Sequence, residues 1–348
     1  MMVSRDMSSG IGGHAVMAVV AAAFLLLAPG FSAAAQDTLL RDKNDDKGIV
    51  TFVLENDLFS GEDNGYTNGV RASYLSPEAG IPEWIDNAAR LMPLFAADGH
   101  KRYGFSVGQS MFAPDDLTRS DLIPNDRPYA GFLYGSVGLL TDTGYQLDNL
   151  QLTLGIVGPA SLASRTQDFV HDTIGSRDPQ GWDNQLRNEP GFILTYERKW
   201  RGLYQLSPFG LGVDATPHIG ASLGNIHTHG TLGATFRVGF DLPADYGPPL
   251  IQPSLPGSDF FVPTKSLGWY IFAGFEGRAV AHNIFLDGNT FQDSHSVNKK
   301  NFVGGVQAGV AVTFGGVRVA YTQVMRTKEF DGQLNADQFG ALTVSFRF

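Results

Sequence analysis

The side chains able to do chemistry fall into a few short groups. Glu55-Asn56-Asp57 is followed, after a short connection, by Tyr66-Thr67-Asn68-Gly69. Carboxylate, amide and hydroxyl oxygens brought face to face on adjacent strands suit a hard cation such as calcium. They equally suit a capped hairpin, because Asp63, Asn64 and Gly65 between them are turn residues, and the spacing is not that of an EF-hand. A second group, Asn125-Asp126-Arg127-Pro128-Tyr129-Ala130-Gly131, offers Arg127 as a bidentate phosphate ligand or as a structural ion pair with Asp126 or a carboxylate inside the fold. The third is His171, with Gly181-Trp182, Gln185, Asn188, Glu189 and Pro190 downstream. A histidine with an acidic neighbour and a water acts as a general base near neutral pH. His227 and His229 form a competing pair, suited to adventitious metal binding. A serine-hydrolase elbow is not expected.

These groups need a scaffold, and the chain ends say which kind. Arg5, the apolar run Ala15 to Leu27 and the small residues Ala33-Ala34-Ala35 read as an export signal over residues 1–35, with a mature chain starting near Gln36. At the other end Leu342, Val344, Phe346 and Phe348 alternate with Ala341, Thr343, Ser345 and Arg347, the period of a strand with one apolar face. The pattern also resembles the terminal-strand signal of bacterial outer-membrane proteins. The chain has no cysteine, so disulfides are excluded, and a net charge of −10 argues against a nucleic-acid partner.

Segments of β-rich character recur near 49–58, 67–76, 101–112, 129–140, 146–157, 189–200, 211–224, 231–240, 268–281, 302–314, 316–326 and 338–348. This predicts an all-β fold: a transmembrane antiparallel barrel of about 12 strands, with short helices in its loops. With both chain ends in the periplasm, Thr141 to Tyr145 and Gly315-Gly316 are short periplasmic turns. Ile81 to Leu94 carries helical spacing in Trp84, Ile85, Ala88, Leu91 and Met92, predicting a small helix that caps the mouth. Asp241 to Leu267 reads as irregular loop. The outer loops, Ser60 to Tyr66, Ala113 to Pro128 and Gly158 to Asn188, hold the groups named above, and His227 and His229 fall in the fourth. A helix is predicted over Ser161 to Ile174, with His171 toward its far end. Functional side chains favour such loops on a rigid scaffold.

Together, Glu55-Asn56-Asp57, Tyr66-Thr67-Asn68-Gly69, Asp126 to Gly131, and His171 with Gly181-Trp182, Gln185 and Asn188-Glu189-Pro190 resemble the outer-membrane lipid A 3′-O-deacylase family, from about residue 50 to Phe348. The resemblance implies a calcium-dependent carboxylic ester hydrolase that removes the 3′-linked acyloxyacyl chain from lipid A. It implies His171 as general base, and Asn56, Asp57 and Thr67 as polar site residues. Glu189 is the leading candidate for the acidic member, with Asp178, Asp183 or Glu55 as alternatives. Calcium would be held by Asp57, Thr67 and Glu189, while Arg127 and Tyr66 would contact substrate. Lipid A or lipopolysaccharide, the outer membrane and the barrel-assembly machinery are the partners expected. An outer-membrane phospholipase, a non-catalytic porin or binding barrel, and a structural barrel contacting surface polysaccharide are the alternatives.

Overall fold

The computed structural model describes residues 46–60, 65–78, 81–90, 94–96, 99–174, 178–202, 204–206, 211–251 and 259–348. The predicted export signal and the turn residues Asp63 and Asn64 lie outside them.

The barrel strands are β1 (Ile49–Asn56), β2 (Gly65–Leu75), β3 (His100–Ala113), β4 (Ala130–Asp142), β5 (Gln146–Val157) and β6 (Glu189–Trp200). They continue as β7 (Gly212–Gly224), β8 (His227–Phe240), β9 (Leu267–Asn283), β10 (Phe302–Phe314), β11 (Val317–Arg326) and β12 (Asp337–Arg347). Each pairs antiparallel with the next, and β12 returns to β1 in the register Ile49↔Arg347 to Asn56↔Gly340. The result is a closed barrel of twelve strands, the number the sequence predicts. Closure leaves no unpaired edge, which is what a strand-built membrane span requires. Tyr204–Leu206 adds a short strand beside β7.

Alternation places apolar side chains outward and polar ones inward. On β1, Phe52 and Leu54 are exposed, whereas Thr51 and Glu55 are fully buried. On β3, Phe105 and Val107 are exposed, and Ser106 points inward among buried groups. These outward residues form the band that meets lipid.

Two periplasmic segments depart from expectation. The predicted helix exists as α1 (Glu83–Arg90), tied to β3 by a 2.9 Å Asp86–Lys101 pair, but its Trp84 is exposed. The segment behind it does the capping: the Leu94 carbonyl accepts from Arg198, and Ala96 N donates to Asp148 at 3.3 Å. The loop between β8 and β9 is not a surface loop. It folds back into the lumen, where Asp245 receives Arg237, Arg318 (3.2 Å) and the Tyr270 hydroxyl (2.8 Å). Further along, Asp259 receives Arg71 at 2.7 Å, and Ile251 N donates to Glu55 at 2.5 Å. Tyr246, Phe260 and Phe261 pack there with Ile49, Leu75, Leu140 and Leu147.

The outer mouth is filled as well. β9 ends in a single helical turn (Ile284–Asp287), whose Phe285 stacks on Phe112 at 4.1 Å. Tyr66, Phe132, Ile226 and Phe339 complete that cluster. The barrel is therefore a plugged scaffold, its lumen divided by the loop and the aromatic cluster.

Candidate active site

On the outer face, near the extracellular ends of β1 to β4, four positions lie in one cross-strand row: Asn56↔Asn68, Asn68↔Met111 and Met111↔Gly131. The register of β2 against β3 slips between Tyr66 and Asn68, so Thr67 is the extra residue of a β-bulge. Bulges of this kind re-aim side chains beside functional sites. This one turns Tyr66 inward, onto Phe112 and Phe339 (5.3 and 5.0 Å between ring centres), while Asn68 stays outward.

A helix, α2 (Ala163–Ile174), lies across this row. It follows a single turn at Pro159–Ser161, whose Ser161 carbonyl accepts from the outward-facing Gln109 at 2.6 Å. Gly131 is what lets the helix come this close, since a Cβ there would collide with Ala163 Cβ and Ser161 Oγ. Ala163, Gln167, Val170 and His171 have the spacing of one helical face. Met111, Ala113, Leu117, Tyr129, Ala163 and Trp182 pack together beneath. The Trp182 indole donates to Gln167 Oε1 at 2.8 Å, which fixes the side chain one turn before His171.

Between the helix and the wall is a small cavity, lined by Gln167, Val170 and His171 on one side and by Asn56, Leu58, Thr67, Asn68 and Met111 on the other. Asn56 Oδ1 accepts from Leu58 N at 2.7 Å, so its amide N–H groups are what it can offer a ligand. Thr67 Oγ1 and Asn68 Oδ1 are buried without a hydrogen-bond partner. Asp57, also buried, and Thr67 each stand one residue beyond the paired Asn56 and Asn68.

Of the residues the sequence proposes, the fold thus brings Asn56, Thr67 and His171 to one cavity and sets Asp57 beside it. It does not bring the others. The Glu189 carboxylate is held by Asn225 (3.2 Å), Asn289 (3.1 Å), Thr290 N (3.1 Å) and Phe291 N (3.2 Å), where it ties outer loops together. Arg127 is buried in an ion pair with Glu329 at 2.7 Å, with Asp337 at 4.0 Å, between the rings of Phe112 and Phe330. Asp126 instead receives the Arg127 and Asp115 backbone N–H groups. Tyr66 and Glu55 face the lumen. Among the acidic alternatives, Asp178 lies on the helix side: burial raises the Asp168 carboxyl above its ordinary value, and Asp178 and Asp172 add to the shift.

His227 and His229 belong to β8, not to a loop, and share a 2.6 Å contact between their Nδ1 atoms in an interior cavity. The Gly-x-Ser-x-Gly spacing of serine hydrolases does occur, at Gly104 to Gly108 and Gly220 to Gly224. Both serines, Ser106 and Ser222, are buried in mid-strand rather than raised on a strand-to-helix elbow.

Asn68 belongs to a block the sequence singles out, whereas Gln167, Val170, Met111 and Leu58 line the cavity without having been singled out there. Gln167 was within reach, since it precedes His171 by four residues on a predicted helix. Met111 becomes visible only once β3 is placed under that helix.

Among the described residues, no three His, Asp or Glu side chains converge to hold a metal. The oxygens of Asp57, Thr67 and Asn68 are nevertheless hard donors of the type calcium takes, and two of them are buried and unpartnered.

Solved structures share this fold. LpxR from Salmonella typhimurium superposes with a TM-score of 0.71 at 20% identity, covering 86% of this chain and all of that one. The β-domain of the Bordetella autotransporter BrkA follows at 0.42 and 12%, covering 87% of this chain and 98% of that one. No curated protein sequence matches the chain. The family model for outer membrane protein LpxR matches residues 19–348, and the chain accordingly belongs to the LpxR family of integral outer-membrane proteins.

Proposed function

We propose that this protein is a carboxylic ester hydrolase that releases the 3′-linked acyloxyacyl chain of lipid A in the outer leaflet. The observation that carries the reading is the cavity that sets His171 opposite Asn56, Thr67 and Asn68 on the lipid-facing side of the barrel wall. Family membership and the motif blocks support the choice of substrate.

In this mechanism His171 takes a proton from a water held in the cavity. The water oxygen bonds to the acyl carbonyl carbon, and the amide of Asn56 donates to the oxyanion that develops. Collapse breaks the bond to the 3′-oxygen, which leaves with the proton carried by His171, giving a free acid and an alcohol. Gln167 and Trp182 keep α2, and so His171, in place. Asp57, Thr67 and Asn68 are the residues that would hold calcium, which when bound supplies positive charge beside the developing oxyanion.

Among the described residues no serine lines this cavity, and apolar clusters and the folded-back loop plug the lumen, which favours this reading over a serine phospholipase or a porin. Mass spectrometry of lipid A from cells with and without the protein tests the proposal. The expected result is loss of the acyloxyacyl mass in cells that make it. Unchanged lipid A, together with an inert purified protein in calcium-containing mixed micelles, would overturn it.

A further inference from the structure

Helix α2 has a second face that catalysis does not use. At about 100° per residue, Leu162, Thr166, Phe169 and Thr173 form one stripe along its flank, next to the stripe that meets the wall. Phe169 is 71% exposed and Leu162 47%. The threonine hydroxyls are turned back onto the helix, Thr166 Oγ1 donating to the Leu162 carbonyl (3.2 Å) and Thr173 Oγ1 to that of Phe169 (2.7 Å). Their methyl groups are what the stripe then presents. Hydroxyls satisfied by the helix backbone suit a surface without water. Arg165, Asp168 and Asp172 take the far side of the helix, so its charged and uncharged flanks are separated.

The position of α2 on the barrel says what lies against that stripe. Along the outer face of β3, Phe105 and Val107 are exposed members of the lipid-facing band, while Gln109 and Met111, the next outward positions, lie beneath the α2 segment. One step along that face is about 7 Å, so the helix begins where the apolar band ends. Across the cavity the turn Asp57–Ser60 exposes Leu58 and Phe59, the latter lying over Gly340 and edge-on to Tyr321 at 6.1 Å. The apolar surface is therefore continuous from the barrel wall onto both sides of the cavity. Leu162 also holds a left-handed backbone conformation (φ 62°), unusual for so bulky a residue, with its side chain outward.

We propose that α2 lies in the plane of the outer membrane interface, with Leu162, Thr166, Phe169 and Thr173 against the acyl chains of outer-leaflet lipid. A helix with one charged and one apolar flank takes this orientation at the boundary between headgroups and hydrocarbon. The stripe then sets the depth of His171, holding it level with the ester bonds, and gives an acyl chain its first contact beside the cavity. The depth-setting role rests on the hydrolase reading above; the lipid contact does not.

The full-length protein in vesicles provides the test. In Phe169→Trp, the emission added by the new indole should be quenched by lipids brominated near the headgroup end of the chain, more than by lipids brominated near its methyl end. Quenching by aqueous iodide with no response to brominated lipid would overturn the proposal. Separately, Phe169→Asp should lower the rate on lipid A in vesicles several-fold while Phe169→Leu retains it, in protein shown to be folded by its heat-modifiable gel shift. If the wild type is active and Phe169→Asp equals it, the depth-setting role is wrong. Lipid quenching in a protein that never hydrolyses lipid A would leave the membrane contact standing and remove the hydrolase.

Discussion

The lumen and the outer groove draw on the same residue types, but the lumen pairs off its charged side chains against one another. Inside, charge meets charge: Arg237 lies between Asp214 and Asp245, and Arg318 reaches Asp245 over the ring of Phe261. Histidines follow suit, with His218 held by Glu276 at 3.1 Å and His227 against His229. In the outer groove, Thr67 and Asn68 keep buried oxygens without partners, and Asn56 gives up its oxygen while its amide N–H groups stay available. A polar group satisfied internally stabilises a fold, whereas one left unsatisfied in a buried site calls for a partner from outside. Unpartnered oxygens occur in the lumen too, at Gln151, Thr216 and Thr231; those of the groove are set apart by facing His171 on α2.

The largest effect that would break this contrast is on His171. His171→Ala should reduce lipid A deacylation about 10²–10⁴-fold in protein that still inserts, whereas the His227→Ala, His229→Ala double variant should stay close to wild type. A dead double variant beside an active His171→Ala would reverse the assignment of the two faces. Next comes the metal. Activity should vanish in a calcium chelator and return on adding calcium, and Asp57→Ala should lose activity while keeping its heat-modifiable migration. Full activity of metal-free protein would remove calcium from the site.

The third prediction moves the helix without changing any residue that lines the cavity. Gly131→Val places a side chain where Ala163 and Ser161 now lie, and should cost about 10²-fold in rate through displacement of His171. Stability in urea should change much less. Arg237→Ala should do the converse. Leaving Asp214 buried without its cation, and Asp245 with Arg318 alone, should cost about 3–5 kcal/mol in urea unfolding, with the rate of the protein that remains folded unchanged.

The smallest effect concerns Glu329, in the outer loop between β11 and β12. Burial alone would raise its carboxyl, but Arg326 and Arg127 outweigh burial and hold it down at about 2. A depressed folded-state value means the pairing contributes fully above the ordinary glutamate range, near pH 4.3, and fades as pH falls from there toward 2. Protection factors for amide exchange across 327–336, taken against the intrinsic rate at each pH, should accordingly be larger at pH 5 than at pH 3. Equal protection at both would show that the Arg127 pair does not anchor the loop.

How far the sequence could be read follows from the range of the forces involved. Strands β5, β6 and β10 match their predicted limits, and the others shift by a few residues at most, because alternation and turn chemistry are local. The helix carrying His171 was legible for the same reason. Tyr66 was not: alternation puts Tyr66 and Asn68 on one face, and only the bulge at Thr67, set by pairing with β3, turns them apart. The loop after β8 reads as irregular because its anchors are remote, Asp259 meeting Arg71 across 188 positions. Glu189 looked like a catalytic acid because no local signal announces that Asn225, Asn289, Thr290 and Phe291 converge on it.

The seam between the first and last strands has a consequence for when this protein starts to work. The turn carrying Asp57 rests on β12 and β11, with Phe59 seated over Gly340 and against Tyr321, and Asn56 itself pairs with Gly340. These supports come from the end of the chain, so half of the groove has no seat until the ring is sealed. Nascent or truncated chains would lack this wall for His171 to face. The proposed activity would thereby wait on closure of the ring, and an unfinished barrel would be a harmless one.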